Sequence, residues 1–247
     1  MGIHDAARRG FQREAEAYER GRPGYPPAAV QWLAAQLSLH EGTTVLDVGA
    51  GTGKLSRALV PSGAEVVAVE PVAAMREVLA RELSAVRVLD GTAEALPLGD
   101  QSADAVVVGQ AFHWFDGEAA LREFDRVLRP AGRLGLIWNR RRLEQPVQRA
   151  IDEIIEPYRQ GTPSLGSGAW RGALDRSALF APAGELKVSF EQRLDADQFV
   201  DRIASISFIA ALERGERDGV LSRIRELAGR HPERLAYDSE VYVFQRG

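Results

Sequence analysis

Thr44-Val45-Leu46-Asp47-Val48-Gly49-Ala50-Gly51-Thr52-Gly53-Lys54-Leu55 is the stretch on which the reading of this chain turns. A short apolar, β-branched run feeds three alternating glycines and then a helical pattern, which predicts strand, tight turn and helix. Glycine at alternate positions admits positive φ and lets a ligand approach the turn, while the N–H groups that open the next helix face it. A nucleotide-like ligand suits such a turn. Two phosphate-binding versions fail letter by letter. A P-loop ending in Gly53-Lys54 requires glycine where Val48 stands and Ser or Thr where Leu55 stands. A dinucleotide fingerprint starting at Gly49 requires its third glycine where Lys54 stands. The surviving pattern is Asp-x-Gly-x-Gly-x-Gly. It sets a carboxylate, Asp47, at the carboxyl end of the strand, where it repels a pyrophosphate and attracts the ammonium of an amino acid.

Outward from the turn, strands and helices alternate. Residues 65–70 form a second apolar strand ending on Glu70, which lies 70 − 49 = 21 residues after Gly49, near the roughly 20-residue offset at which an acidic group meets two ribose hydroxyls. Pro71 opens a helix that carries Met75, Val78 and Leu79 inward, with Met75 read as core. Further strands are expected at 85–89, 102–110 and 133–138, and helices at 55–60 and 117–128, the latter stopped by Arg129-Pro130-Ala131-Gly132. Before the turn, residues 5–20 read as a helix with Phe11, Ala15 and Tyr18 on one face. The proline hinge from Arg22 through Tyr25 to Pro27 follows, and then a second helix to Leu37. After Leu143 the alternation lapses. Helices are expected at 146–158, 196–203 and 214–229, strands at 185–194 and 240–245, and a mobile polar loop at 161–168. Asn139 and the three arginines Arg140, Arg141 and Arg142 read as the exit of the fifth strand.

The glycine turn, Glu70 at its offset and the wording Arg129-Pro130-x-Gly132-x-Leu134 resemble class I S-adenosylmethionine-dependent methyltransferases, in the small-molecule branch typified by methyltransferase type 11 and trans-aconitate methyltransferase. The resemblance implies an α/β fold: a doubly wound seven-stranded sheet of order 3-2-1-4-5-7-6, its last strand antiparallel, in a three-layer sandwich with an N-terminal helical cap and helical inserts after the fifth strand. It implies one methyltransferase domain over 1–247, with a cap or lid at 1–26, a cofactor-binding core at 27–140, and the inserts and last two strands at 141–247. The implied cofactor is S-adenosyl-L-methionine, which leaves as S-adenosyl-L-homocysteine. Its expected contacts are Tyr18 and Arg22 from the cap, Asp47, Gly49, Ala50 and Gly51 from the turn, and Glu70 with Pro71 at the ribose. Thr92, Ala93 and Glu94 stand in the adenine loop, with Thr92 where the family usually carries a carboxylate, and Gln110 ends the fourth strand. The expected substrate pocket draws on Tyr25, Phe112, His113, Trp114, Phe115 and Trp138. His113 is the base candidate if the acceptor must lose a proton, and otherwise only orients the aromatic wall; Arg140 is the candidate anchor for an anionic acceptor.

Composition narrows the alternatives. Of 247 residues 45% are apolar and 27% charged, and cysteine is absent, which removes disulfides, thiolate metal sites and thiol nucleophiles. No metal site is expected. Net charge is −4, with two lysines, so nucleic acid is not the expected partner; neither is a membrane, since no apolar run nears the roughly 20 residues of a span. The expected partner is a small-molecule substrate, the chain being a monomer or homodimer. Residues 1–9 show no secretory signal, which points to the cytoplasm. A different enzyme class, an NAD(P)-dependent oxidoreductase, would use the same sheet and Glu70, but lacks its third glycine. A non-catalytic cofactor-binding or partner protein is the remaining alternative.

Overall fold

The computed structural model describes residues 15–159, 161–163, 165–229 and 234–247. The expectations for Phe11 and for the first ten residues of the N-terminal helix, 5–14, lie outside them. Helix α1 is described over 15–21, and α2 follows at Pro27–Gln36, started by a proline whose missing N–H costs nothing there. The strands are β1 (Thr44–Val48), β2 (Glu65–Val69), β3 (Arg87–Leu89), β4 (Ala103–Gly109), β5 (Leu128–Arg141), β6 (Phe180–Arg193) and β7 (Arg234–Arg246). They form one sheet of order β3-β2-β1-β4-β5-β7-β6. The first five run parallel, while β7 is antiparallel to both β5 and β6.

Period-two alternation explains the layers. Leu46, Val48, Val106, Val108, Leu134 and Leu136 face α5 (Gly117–Val127) and α7 (Ala169–Arg176). Their neighbours Val45, Val66, Ala105, Val107 and Ile137 face α2 and α3 (Lys54–Leu59). With both faces covered, the central strands read as continuous apolar runs. Helix α4 (Ala73–Glu82) sends Leu79 to that second face, and gives Met75 and Val78 to a smaller cluster with Ala15 of α1. A third core gathers α6 (Pro146–Ile155), α8 (Ala196–Ala204), α9 (Ser207–Ala210) and α10 (Arg214–Ala228) around Tyr237 and Leu235 of β7.

Two expectations are corrected here. The helix before Arg129 stops as expected, at Val127, but β5 starts at Leu128 and not at Arg133, and passes through a register shift against β4, with Ala131 at φ +62°. Nor does β5 end at Trp138, with Asn139, Arg140 and Arg141 beyond its exit. They continue β5, because Ser239, Asp238 and Tyr237 of β7 lie opposite and complete their backbone pairing. Helices α7 and α9 were not foreseen; both are short. No helix among the described residues is long and apolar enough to cross a membrane.

Candidate active site

Asp47 leaves β1 fully buried, and its Oδ2 accepts the Ser56 hydroxyl at 2.6 Å. Oδ1 is buried with no partner. Burial, relieved in part by Ser56, raises this carboxyl to a pKa of about 6. The chain then turns through Gly49 and Gly51 at φ +69° and +59°. A Cβ on Gly49 would meet Ala111 at 2.9 Å and Phe115 at 3.1 Å, so the turn fits against the β4 exit only as glycine. The Gly51 N–H donates to Glu70 Oε2 at 2.9 Å and the Val72 N–H to Oε1 at 2.9 Å, fixing the Glu70 carboxylate over the turn. Burial outweighs these two donors and lifts Glu70 to about 7.

The opposite wall comes from the loops after β3 and β4. Glu94 accepts the Asp116 N–H at 2.9 Å, tying the loop at 92–94 to the start of α5. Gln110 leaves β4 at φ +61°, a conformation that costs a non-glycine residue about 1–2 kcal/mol and that concentrates at functional sites. Its N–H donates to the Ile137 carbonyl at 2.9 Å. Between these walls lies a cleft that also takes in Met75, Trp114 and Pro71. Beneath it a small polar chamber holds Asp47, Ala50, Lys54 and Tyr25. A third, larger cavity opens beyond Gln110 toward α6, α8 and α9, with His113, Trp114 and Asn139 on its near side.

Helix α1 closes the arrangement. Glu19 binds the Thr52 hydroxyl at 2.6 Å and Arg57 at 2.9 Å, and its carbonyl accepts from Lys54 at 2.7 Å, so the helix is clamped to α3 and the glycine turn. Arg22 stacks 5.0 Å over the Tyr18 ring and donates to the Ser205 hydroxyl and carbonyl at 3.1 and 2.9 Å. Tyr18 and Gln110 border all three spaces.

Comparison with known proteins bears directly on this cleft. The methyltransferase domain family matches residues 46–136, from β1 into β5. An uncharacterized methyltransferase of Mycobacterium tuberculosis is 42% identical over 225 residues, covering 90% of this chain and 86% of that protein. The chain belongs to the S-adenosylmethionine-dependent methyltransferases. The fold agrees: a proposed type II methyltransferase from Anaeromyxobacter dehalogenans superposes with a TM-score of 0.66 at 23% identity, covering 92% of this chain and 97% of that one. Geranyl diphosphate C-methyltransferase from Streptomyces coelicolor, crystallised with S-adenosyl-L-homocysteine, superposes at 0.52 and 17% identity, covering 89% and 79%.

In this methyltransferase every cofactor contact expected from the sequence borders the cleft or the chamber: Gly49, Gly51, Glu70, Pro71, Thr92, Ala93 and Glu94 the first, Arg22, Asp47 and Ala50 the second, and Tyr18 and Gln110 both. The expected substrate pocket divides differently. Trp138 is fully buried and packs on Trp170 at 4.5 Å, away from all three spaces, because β5 runs three residues further than expected and leaves it mid-strand. Phe112 is likewise core, edge-on to Phe115 at 5.9 Å. Phe115 borders the cleft and Tyr25 the chamber, whereas His113 and Trp114 border the larger cavity. His113 is pushed down to about 4 by burial and then by Arg22. Arg140 reaches that cavity from a largely exposed position and pairs with Glu240 at 3.6 Å.

Among the wall residues that the sequence reading missed, three matter most for the chemistry. Met75 is core and cleft wall at once. Arg202 and Asp152 stand on the larger cavity from α8 and α6. Arg202 had a signal: it lies between Phe199 with Val200 and Ile203, on the flank of the apolar face of α8.

Proposed function

We propose that the methyltransferase binds S-adenosylmethionine across the cleft and chamber and transfers its methyl group to a small molecule in the larger cavity. The observation that carries this reading is Asp47, whose buried Oδ1 has no partner in a chamber that also holds Arg22. That donor and acceptor set suits an amino-acid head, with Asp47 for its ammonium and Arg22 for its carboxylate. Glu70, immobilised by two backbone N–H groups, keeps lone pairs for ribose hydroxyls. The loop at 92–94, across the cleft beside Phe115, suits the base. The cofactor supplies an activated methyl on a sulfonium, and its displacement releases a neutral thioether. The protein's part is therefore alignment and exclusion of water. Tyr18 and Gln110, common to cleft and cavity, orient the reacting ends.

Calorimetry decides the cofactor. S-adenosylmethionine is expected to bind and NAD not to. Glu70→Ala is expected to lose about 1–3 kcal/mol of affinity through two charge-assisted hydrogen bonds. A titration of that variant superimposable on the wild type would sink the ribose assignment. A screen of small acids, phenols and amines with a labelled methyl donor tests the acceptor class, and label recovered in RNA or DNA instead would overturn it.

A further inference from the structure

The wall of the larger cavity carries Arg22, Arg140, Arg141, Arg159 and Arg202, against Asp152 as its one carboxylate among the described residues. Two of these cations are balanced at the rim: Arg140 by Glu240, and Arg159 by Glu156 at 2.8 Å. The deeper three are not balanced in the same way. Arg141 shares Asp152 and keeps Nη1 buried without a partner. Arg202 is 5% exposed; it donates to the Tyr237 hydroxyl at 3.0 Å, a neutral acceptor, and its Nη1 is also buried without a partner. Arg22 meets only the neutral oxygens of Ser205 in its hydrogen bonds. Three buried or half-buried guanidinium groups around one carboxylate leave an excess of positive charge in a low-dielectric wall, an arrangement that costs free energy until an anion enters. The protein feels that cost: burial and then the Arg202 charge depress Arg22 to about 10, and the same two causes depress Arg141.

We propose that the methyl acceptor carries an anionic group, carboxylate or phosphate, and that Arg141 and Arg202 hold it at the inner wall of the cavity. This deepens the reading above and rests on it for the identity of the cavity as the acceptor site. Arg22, shared with the chamber, is left to the cofactor side. A guanidinium pair with free Nη groups suits the planar oxygens of either anion. The grip orients the acceptor by a group remote from the chemistry, so neutral analogues of the same size are expected to bind weakly. The protein's overall negative charge makes the arginine cluster a local feature of this cavity, separate from any general attraction for polyanions.

The test titrates the 247-residue chain, with and without S-adenosylhomocysteine, by calorimetry at constant ionic strength. The probes are succinate, inorganic phosphate and the neutral succinamide. One of the two anions is expected to bind at least tenfold more tightly than succinamide, and which one it is separates carboxylate from phosphate recognition. Arg141→Gln is expected to weaken that anion tenfold or more while S-adenosylhomocysteine binds within twofold of wild type, and Arg141→Lys to recover part of the loss. Arg202→Gln is expected to weaken the anion as well; should it fail to fold, the Arg141 pair of variants decides alone. Equal binding of succinate, phosphate and succinamide, or anion binding untouched in Arg141→Gln, would overturn the proposal in protein that binds S-adenosylhomocysteine. Anion binding that depends on Arg141 in protein that does not bind S-adenosylhomocysteine would instead remove the cofactor assignment and leave the anion site standing.

Discussion

Asp47 and Glu70 put two carboxyl groups with raised pKa, about 6 and about 7, against the same turn, each raised chiefly by burial. The sign of the consequence follows from proton linkage. Both groups hold protons in the folded chain at pH values where the unfolded chain has released them, so folding stability rises as pH falls from about 7 toward the ordinary carboxyl range. The proposed cofactor contacts have the opposite demand, since an ammonium on Asp47 and two ribose hydroxyls on Glu70 would favour the ionised forms. Affinity for S-adenosylmethionine is therefore expected to fall below about pH 6.5, with proton release on binding that calorimetry in buffers of different ionisation enthalpy would register. Affinity constant between pH 5.5 and 8 would contradict the arrangement. His113 gives a second prediction at this scale. An imidazole held near 4 is neutral at pH 7 and a weak base. His113→Gln is expected to keep the methyl-transfer rate within about tenfold, and a loss of about 10² or more with a matching change in the pH–rate profile would restore it as the base.

At the scale of elements, the contact between α1 and α8 carries the most consequence. A Cβ on Gly21 would fall 2.5 Å from the Asp201 carbonyl carbon and 2.7 Å from Arg202 Cα, both backbone atoms that cannot step aside cheaply. Gly21→Ala is expected to lift the cap at a cost of about 1–3 kcal/mol. Amide exchange should then quicken over 15–21 and 196–204 while β1 and β4 keep their protection. Unaltered exchange over α1 would show that α3 and α4 hold the helix without α8. Much of this layer of structure was legible beforehand. Val45 to Val48 and Val66 to Val69 read as strands because both their faces are covered, and Glu70 could be placed because a strand–turn–helix–strand unit spans a nearly constant length. The ends of β5 and β7 were not legible: Asn139 pairs with Ser239, Arg140 with Asp238, and nothing local announces a partner 100 or 98 residues away. Arg202 escaped for a related reason, since one arginine beside an apolar stripe looks like a solvated flank until α8 is docked against β7.

For the molecule as a whole, ligand binding and folding are one equilibrium. At a cofactor concentration 100 times Kd the folded state gains about 2.7 kcal/mol. For a chain of this size that corresponds to a rise in Tm of about 5–10 °C in thermal unfolding, expected for wild type and strongly reduced for Glu70→Ala; equal shifts for the two would detach Glu70 from the ligand. Tyr18 borders the cleft, the chamber and the larger cavity at once, with Arg22 stacked on its ring and Glu19 pinned to Thr52 and Arg57 beside it. If the cleft takes the donor and the larger cavity the acceptor, as proposed above, a partition common to both has a kinetic signature. Reactants on its two sides are then expected to meet in one ternary complex, with the donor binding first. Initial-rate lines should intersect, and S-adenosylhomocysteine should inhibit competitively against the donor and noncompetitively against the acceptor.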